Sequence, residues 1–203
     1  MTDFDAMAPT YDDKPVRLER ARAVAQGIRA SLPLSREMTA LEYGCGTGLL
    51  SLALQPDLGH IFLADSSSGM LAVLDEKIAA GGYTNLSSLK VDFISDPLPV
   101  VPVQLIYTLM ALHHIPDTDR ILERFYTLLQ APGTLCVADL DQEDGTFHDA
   151  TFTGHRGFDR TRLGKQAQRA GFRQVRFQTI FNNAKPVGGS MKDFPLFLMV
   201  AEK

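Results

Sequence analysis

The sequence is poor in cysteine, has no surplus of basic residues and contains no long apolar run. Its only cysteines, Cys45 and Cys136, lie far apart, which excludes a disulfide framework and a cysteine-based metal cluster. Twenty Lys and Arg stand against 24 Asp and Glu, a net charge of -4 with no basic stripe, so no nucleic-acid partner is expected. No stretch approaches the roughly 20 consecutive apolar residues of a membrane helix, so no membrane partner is expected either. The opening MTDFDAMAPTYDDK carries acidic residues where a signal peptide carries basic ones, and the expected location is cytoplasmic. No repeat, low-complexity tract or linker divides the 203 residues, and that length suffices for one domain with a full core.

What is present is an alternation of strand-like and helix-like segments. Strands are predicted over 38–43, 59–64, 86–91, 103–109, 134–140, 174–181 and 196–201. Helical spacing falls over 49–54, 68–80, 117–130 and 159–170, with Asp159 as a predicted N-cap and Gly171 just past the end. Val103–Leu109 is a near-continuous apolar run, as a strand buried on both faces requires. Such alternation predicts an α/β, Rossmann-like sandwich with a mostly parallel sheet, and the last two strands, joined by a loop, predict an antiparallel partner at the end. Ligands of such sheets bind at the carboxyl ends of the strands.

Three of those ends carry the chemistry. The first is LEYGCGTGLL, residues 41–50, in which Gly44, Gly46 and Gly48 form a tight turn with Cys45 between the first two. The helix behind it offers N–H groups to an anion. The spacing is GxGxG, whereas a dinucleotide turn places its third glycine one residue later, and that disfavours a nucleotide-dependent oxidoreductase. Glu42, just ahead of the turn, suits an ammonium group. The second end is Asp65, an acceptor suited to a ribose diol or, more plainly, an N-cap. Ser66, Ser67 and Ser68 compete for the capping position. The third is Asp92 with Phe93, which could meet an adenine amine and its ring, or else form an Asx turn with a core phenylalanine.

Together these residues resemble the class I S-adenosylmethionine (SAM)-dependent methyltransferases, in particular the small-molecule branch that includes ubiquinone- and menaquinone-biosynthesis enzymes. The segments that carry the resemblance are LEYGCGTGLL (41–50), ADSSSGML (64–71), VDF (91–93), LIYTLMALHHIPD (105–117), LLQAPGTLCVADLD (128–141) and GFDRTRLGKQAQRAGF (157–172), with FDAMAPTYDD (4–13) at the amino end. The resemblance implies one domain over 1–203, with a helical lid segment over 1–37 and a SAM-binding core over 38–203. It implies a seven-stranded sheet with an antiparallel final strand, and SAM contacts at Glu42, Gly44, Cys45, Gly46, Asp65, Asp92 and Phe93. Ser66 and Met70 would line the adenosine pocket, and Thr108 would lie beside the methionine end. Gln104, Leu109 and Thr134 depart from the family's usual residues, and Leu109 reshapes the pocket near the sulfonium.

A catalytic side chain is harder to read, because the methyl donor is already activated and the protein chiefly aligns the acceptor. His113 is the candidate, being placed to face substrate better than His114. Asp141, His148, His155 and Arg156 lie nearby and read more simply as loop residues. Phe4, Met7, Ala8 and Tyr11 recur at helical spacing, which predicts a packed face or, more sharply, a lid that brings Tyr11 to the methionine carboxylate or substrate. No metal is expected. The sequence thus predicts methyl transfer to a small molecule, with a non-catalytic SAM-binding module as the alternative.

Overall fold

The computed structural model describes residues 3–149 and 151–203, so residues 1, 2 and 150 of the expected domain lie outside the described residues. The chain opens with the short helix α1 (Phe4–Met7), a 3₁₀ segment over Ala8–Asp13 and helix α2 (Pro15–Ser31). There follow β1 (Thr39–Tyr43), α3 (Leu49–Leu54), β2 (His60–Asp65), α4 (Ser68–Gly81), β3 (Leu86–Lys90) and β4 (Val103–Leu109). The chain closes with α5 (Thr118–Leu128), β5 (Leu129–Leu140), α6 (Arg160–Arg169), β6 (Arg173–Val187) and β7 (Ser190–Glu202).

The seven strands form one sheet in the order β3-β2-β1-β4-β5-β7-β6. β7 runs antiparallel to both β5 and β6, and the other pairings are parallel. Two-residue periodicity assigns each side chain of the central strands to a face. Leu105 and Tyr107 of β4 pack with α2, α3 and α4, whereas Ile106 packs with Ile121, Phe125 and Leu163 of α5 and α6. Helices therefore cover both faces, the three layers expected of alternating strands and helices. The strand order reverses between β1 and β4, which opens a crevice beyond their carboxyl ends.

The expected cap at Asp159 is present, and Ser67 takes the position for which three serines compete. Asp159 accepts from the Arg162 N–H, Ser67 accepts from Met70 and Asp117 from Arg120. Three boundaries differ. β5 begins at Leu129, because the Ala131-Pro132-Gly133 interruption is absorbed as a bulge between the Val103–Leu129 and Leu105–Thr134 pairs. The expected loop before the last strand is instead a hairpin extension, in which Asn182–Val187 pairs with Ser190–Pro195 across a Gly188-Gly189 turn. Both glycines have positive φ (58° and 86°), the geometry that a two-residue hairpin turn demands. The amino-terminal stripe is not one helix, since Pro9 enters a 3₁₀ segment and only Ala8 of the four residues is buried.

Candidate cofactor and substrate site

At the switch point lies an open cleft of about 610 Å³, mouth included, lined by Tyr11, Gly44, Gly46, Asp65, Ser66, Met70 and, farther along, Leu109, Met110, Ala111 and His114. A smaller chamber of about 370 Å³ adjoins it and shares Tyr11, Gly44, Gly46 and Leu109. Glu42, Cys45, Arg17 and Arg20 line that chamber. A separate pocket beside His155, Asp159 and Arg162 contains none of these residues.

The glycine turn has the conformation its sequence requires. Gly44, Gly46 and Gly48 have φ of 67°, 52° and 82°, which side chains with a Cβ rarely adopt. A Cβ on Gly44 would stand 2.4 Å from that of Ala111, whereas one on Gly46 would meet only Met70 Sδ, at 3.9 Å. Gly46 thus leaves open space on the cleft side. The turn's N–H groups are largely spent within the protein: Gly44 and Cys45 donate to Ala64 O (2.8 and 3.1 Å), and Gly46 to Asp65 Oδ2 (2.7 Å). These three amides are therefore not free for an anion.

Asp65 closes β2 and faces the cleft. Its Oδ1 accepts from Ser67 N at 2.9 Å, so each oxygen holds one backbone donor and keeps a lone pair for a second. Burial raises its pKa. Glu42 is 2% exposed, and its Oε2 accepts from Ser51 N (3.2 Å) and Ser51 Oγ (2.5 Å). Ser51 Oγ in turn lies 2.6 Å from the Tyr107 hydroxyl. Burial pushes Glu42 up to about 8, so the carboxyl is mostly protonated near neutrality. The Cys45 thiol is likewise raised by burial, which removes it as a nucleophile.

Four expected residues lie elsewhere. Asp92 is taken up by an Asx turn, accepting from Ile94 N (2.8 Å) and Ser95 Oγ (3.1 Å). Phe93 is fully buried, its ring 4.7 Å from Tyr43 and 6.2 Å from Phe125, so it is core and no cleft wall. Thr108 is buried on the opposite side of β4 from Leu109, as strand alternation dictates, and its Oγ1 lacks a partner among the described residues. His113, on the 3₁₀ turn after β4, points inward. Its Nδ1 lies 2.7 Å from Asp139 Oδ1, and its backbone N–H donates to Oδ2 at 3.1 Å. His114 takes the cleft-facing position instead, and burial lowers it to about 3, so it is neutral.

Sequence reasoning passed over Asp139 and weighed Asp141. Asp139 lies within β5 and is fully buried under His113, whereas Asp141, just past the end of the strand, forms a bidentate pair with Arg160 at 2.6 Å. Also missed was Met110, which lines the cleft with φ of 55°, unusual without glycine. The amino-terminal segment lies across the cleft, with Phe4 and Tyr11 facing in. Two carboxylates latch it there. Asp5 accepts from Ser67 Oγ (2.5 Å) and Gly69 N (2.7 Å), and Asp12 accepts from Thr47 Oγ1 (2.6 Å) and pairs with Lys77.

This donor and acceptor set suits an adenosyl amino acid: a diol acceptor at Asp65, apolar and small residues at Met70 and Gly46, and a buried acid at Glu42. Among the described residues no group of three or more His, Cys, Asp or Glu has metal-binding geometry, and no helix is long and apolar enough to cross a membrane.

Comparison with known proteins agrees. Residues 40–133 match a family model described as a methyltransferase domain. An uncharacterized methyltransferase of Schizosaccharomyces pombe is 34% identical over 119 residues, 55% of this chain and 42% of that protein. A demethylmenaquinone methyltransferase of Shouchella clausii is 24% identical over 144 residues, 68% of this chain and 61% of that protein. The chain thus spans roughly half the length of these relatives. A SAM-dependent methyltransferase from Aquifex aeolicus shares the fold, with a TM-score of 0.74 at 21% identity, covering 100% of this chain and 99% of that one. The chain is thus similar in sequence to methyltransferases over residues 40–133 and shares its whole fold with a SAM-dependent methyltransferase.

Proposed function

We propose that the protein transfers the methyl group of SAM to a small-molecule acceptor by in-line displacement. The observation that carries this reading is the convergence of Asp65 and the Gly44–Gly46 turn on one cleft, whose far wall is Leu109, Met110 and His114, with Glu42 in the adjoining chamber. In this reading Asp65 takes the ribose hydroxyls, Ser66 and Met70 border the adenosine, and Glu42 faces the ammonium group. SAM supplies an activated methyl on a sulfonium, with a neutral thioether as leaving group.

The chain's own work is alignment and exclusion of water. Phe4 and Tyr11, held by Asp5 and Asp12, cover the cleft, and the apolar far wall seats the acceptor. A neutral His114 accepts a hydrogen bond there. With so low a proton affinity it removes a proton only from an acidic acceptor, so the acceptor is nucleophilic in its own right. The modest cleft, and a relative named for demethylmenaquinone, favour a small acceptor over a macromolecule.

Calorimetric titration with SAM, S-adenosylhomocysteine and NAD tests the site: the first two should bind and NAD should not. Tight NAD binding without SAM binding would end the reading. Labelled-methyl transfer to a metabolite panel then tests the activity, and SAM binding without transfer to any acceptor would favour a regulatory SAM-binding module.

A further inference from the structure

A second pocket lies behind the far wall of the cleft. Its volume is about 480 Å³, mouth included, and it shares no lining residue with the cleft or the inner chamber. Its walls come from the start of α5, the segment after β5 and the first turns of α6, over an apolar floor of Phe158 and Leu163. His155 ties the pocket to the cleft. Its backbone N–H donates to His113 O at 2.8 Å and its Nε2 lies 2.9 Å from Ile115 O, on either side of the cleft-lining His114.

The contact with Ile115 decides the tautomer of His155. A carbonyl oxygen only accepts, so Nε2 carries the hydrogen and donates it. The Thr118 hydroxyl, 3.2 Å from the same Nε2, can therefore only accept there, and its own hydrogen is left over. Thr118 is 4% exposed and lines the pocket, and its Oγ1 makes no other hydrogen bond among the described residues. A donor so buried is ordinarily satisfied.

Further donors without acceptors surround it. Arg162 takes part in none of the ion pairs among the described residues, and only its backbone N–H is hydrogen-bonded. The Gln142 backbone N–H donates to Phe158 O, while its side-chain amide has no partner among the described residues. Two acids are near, and both are engaged. Asp119 pairs with Arg169 at 2.8 Å, and Asp159 on the pocket wall spends Oδ1 on the Arg162 backbone N–H. The pocket thus sets a cation, a hydroxyl and an amide over an apolar floor.

We propose that this pocket binds a small carboxylate carried on an apolar body, at a site separate from the cofactor cleft. The planar guanidinium of Arg162 matches two carboxylate oxygens. Thr118 and Gln142 donate to the same group, and Phe158 and Leu163 receive the apolar body. His155 Nδ1 makes no hydrogen bond among the described residues, and with a proton on it the ring becomes a further donor to the anion. No residue of the adenosyl cleft is required, so the pocket fills whether or not the cleft holds SAM.

The test is a fluorine NMR titration of the whole chain with 4-fluorobenzoate, and with 4-fluorobenzamide as its uncharged counterpart. Wild type should bind the carboxylate saturably and the amide about 10-fold more weakly. Arg162→Gln should weaken the carboxylate about 10-fold, and Thr118→Val, which keeps the shape and removes the hydroxyl, about 3- to 10-fold. Folding of each variant is checked by circular dichroism. Arg162 is exposed, so its variant remains a test even if Thr118→Val fails to fold. Repeating the titration with S-adenosylhomocysteine present should leave the carboxylate bound. Absence of saturable binding, equal binding of the amide, or unchanged affinity in either folded variant overturns the proposal. Displacement by S-adenosylhomocysteine would put the carboxylate in the cleft and overturn it as well.

Discussion

Replacing Glu42 with Gln should change how stability depends on pH, and the direction follows from its burial. The carboxyl titrates at about 8 in the folded protein, against about 4.3 in an unfolded chain. The folded state therefore holds a proton that the unfolded state releases between these values. The stabilising contribution of this group is fully present below about pH 4.3 and is lost as pH rises through about 8, at about 1.4 kcal/mol per pH unit. Urea unfolding of wild type and Glu42→Gln at pH 5.5 and 7.5 reads it directly. Wild type should lose about 3 kcal/mol relative to the variant across those two units. Asp65 and the other acids titrate in both proteins, so the difference isolates Glu42. Parallel profiles would show that Glu42 is already ionised in the folded state. The same proton has a consequence for binding, because an ammonium group beside Glu42 favours the carboxylate. S-adenosylhomocysteine should therefore release close to one proton at pH 7, measured by calorimetry in buffers of different ionisation enthalpy. Binding without proton release would remove Glu42 from the ammonium site.

Asp65→Asn keeps one carbonyl oxygen for a backbone N–H but weakens diol recognition, and it should lower S-adenosylhomocysteine affinity about 10-fold in a calorimetric titration. Unchanged affinity would place the ribose elsewhere. Gly44→Ala combines a left-handed φ with a clash against Ala111, and should destabilise by about 3 kcal/mol in chemical denaturation. Gly46→Ala meets no clash, so it should cost only about 1 kcal/mol while weakening the adenosyl ligand more; the opposite ranking would refute this account of the turn. Asp12→Asn removes the Lys77 ion pair and loosens the strap, so chymotrypsin should cut after Phe4 or Tyr11 faster than in wild type, and S-adenosylhomocysteine should slow that cleavage in both. Equal cleavage rates would show that Asp12 does not hold the segment closed.

The sheet was legible in the sequence because its central strands obey local rules. Val103–Leu109 is apolar on both faces, and Asp65 stops β2 where the turn needs an acid, so the motifs fall on strand ends without any tertiary information. The hairpin extension was not legible, because Asn182–Val187 lies at the edge of the sheet, where polar residues and Pro186 are tolerated and nothing alternates cleanly. Phe93 illustrates a second limit. An aromatic at a strand end can turn to the cleft or to the core, and here Tyr43 and Phe125, distant in sequence, supply a better partner than a ligand-facing wall. His113 and His114 differ for the same reason. The 3₁₀ turn sends adjacent side chains in different directions, and Asp139, 26 residues from His113, decides which one is drawn inward.

Where polar groups remain unsatisfied is informative about all of these. Among the described residues, the buried side-chain atoms without a partner belong to Arg20, Thr108, His113, Arg124, Glu143, His148 and Asn183. Thr108 lies near the end of β4, His113 follows that strand, and Glu143 and His148 follow β5, so these four lie toward the carboxyl ends of β4 and β5. Arg20 and Asn183 meet beside the same strand ends on the opposite face. A core built only for stability pairs such groups, because each unpaired one costs about 1–3 kcal/mol. Several together rival the whole net stability of a domain, about 5–15 kcal/mol, unless a bound ligand offsets them.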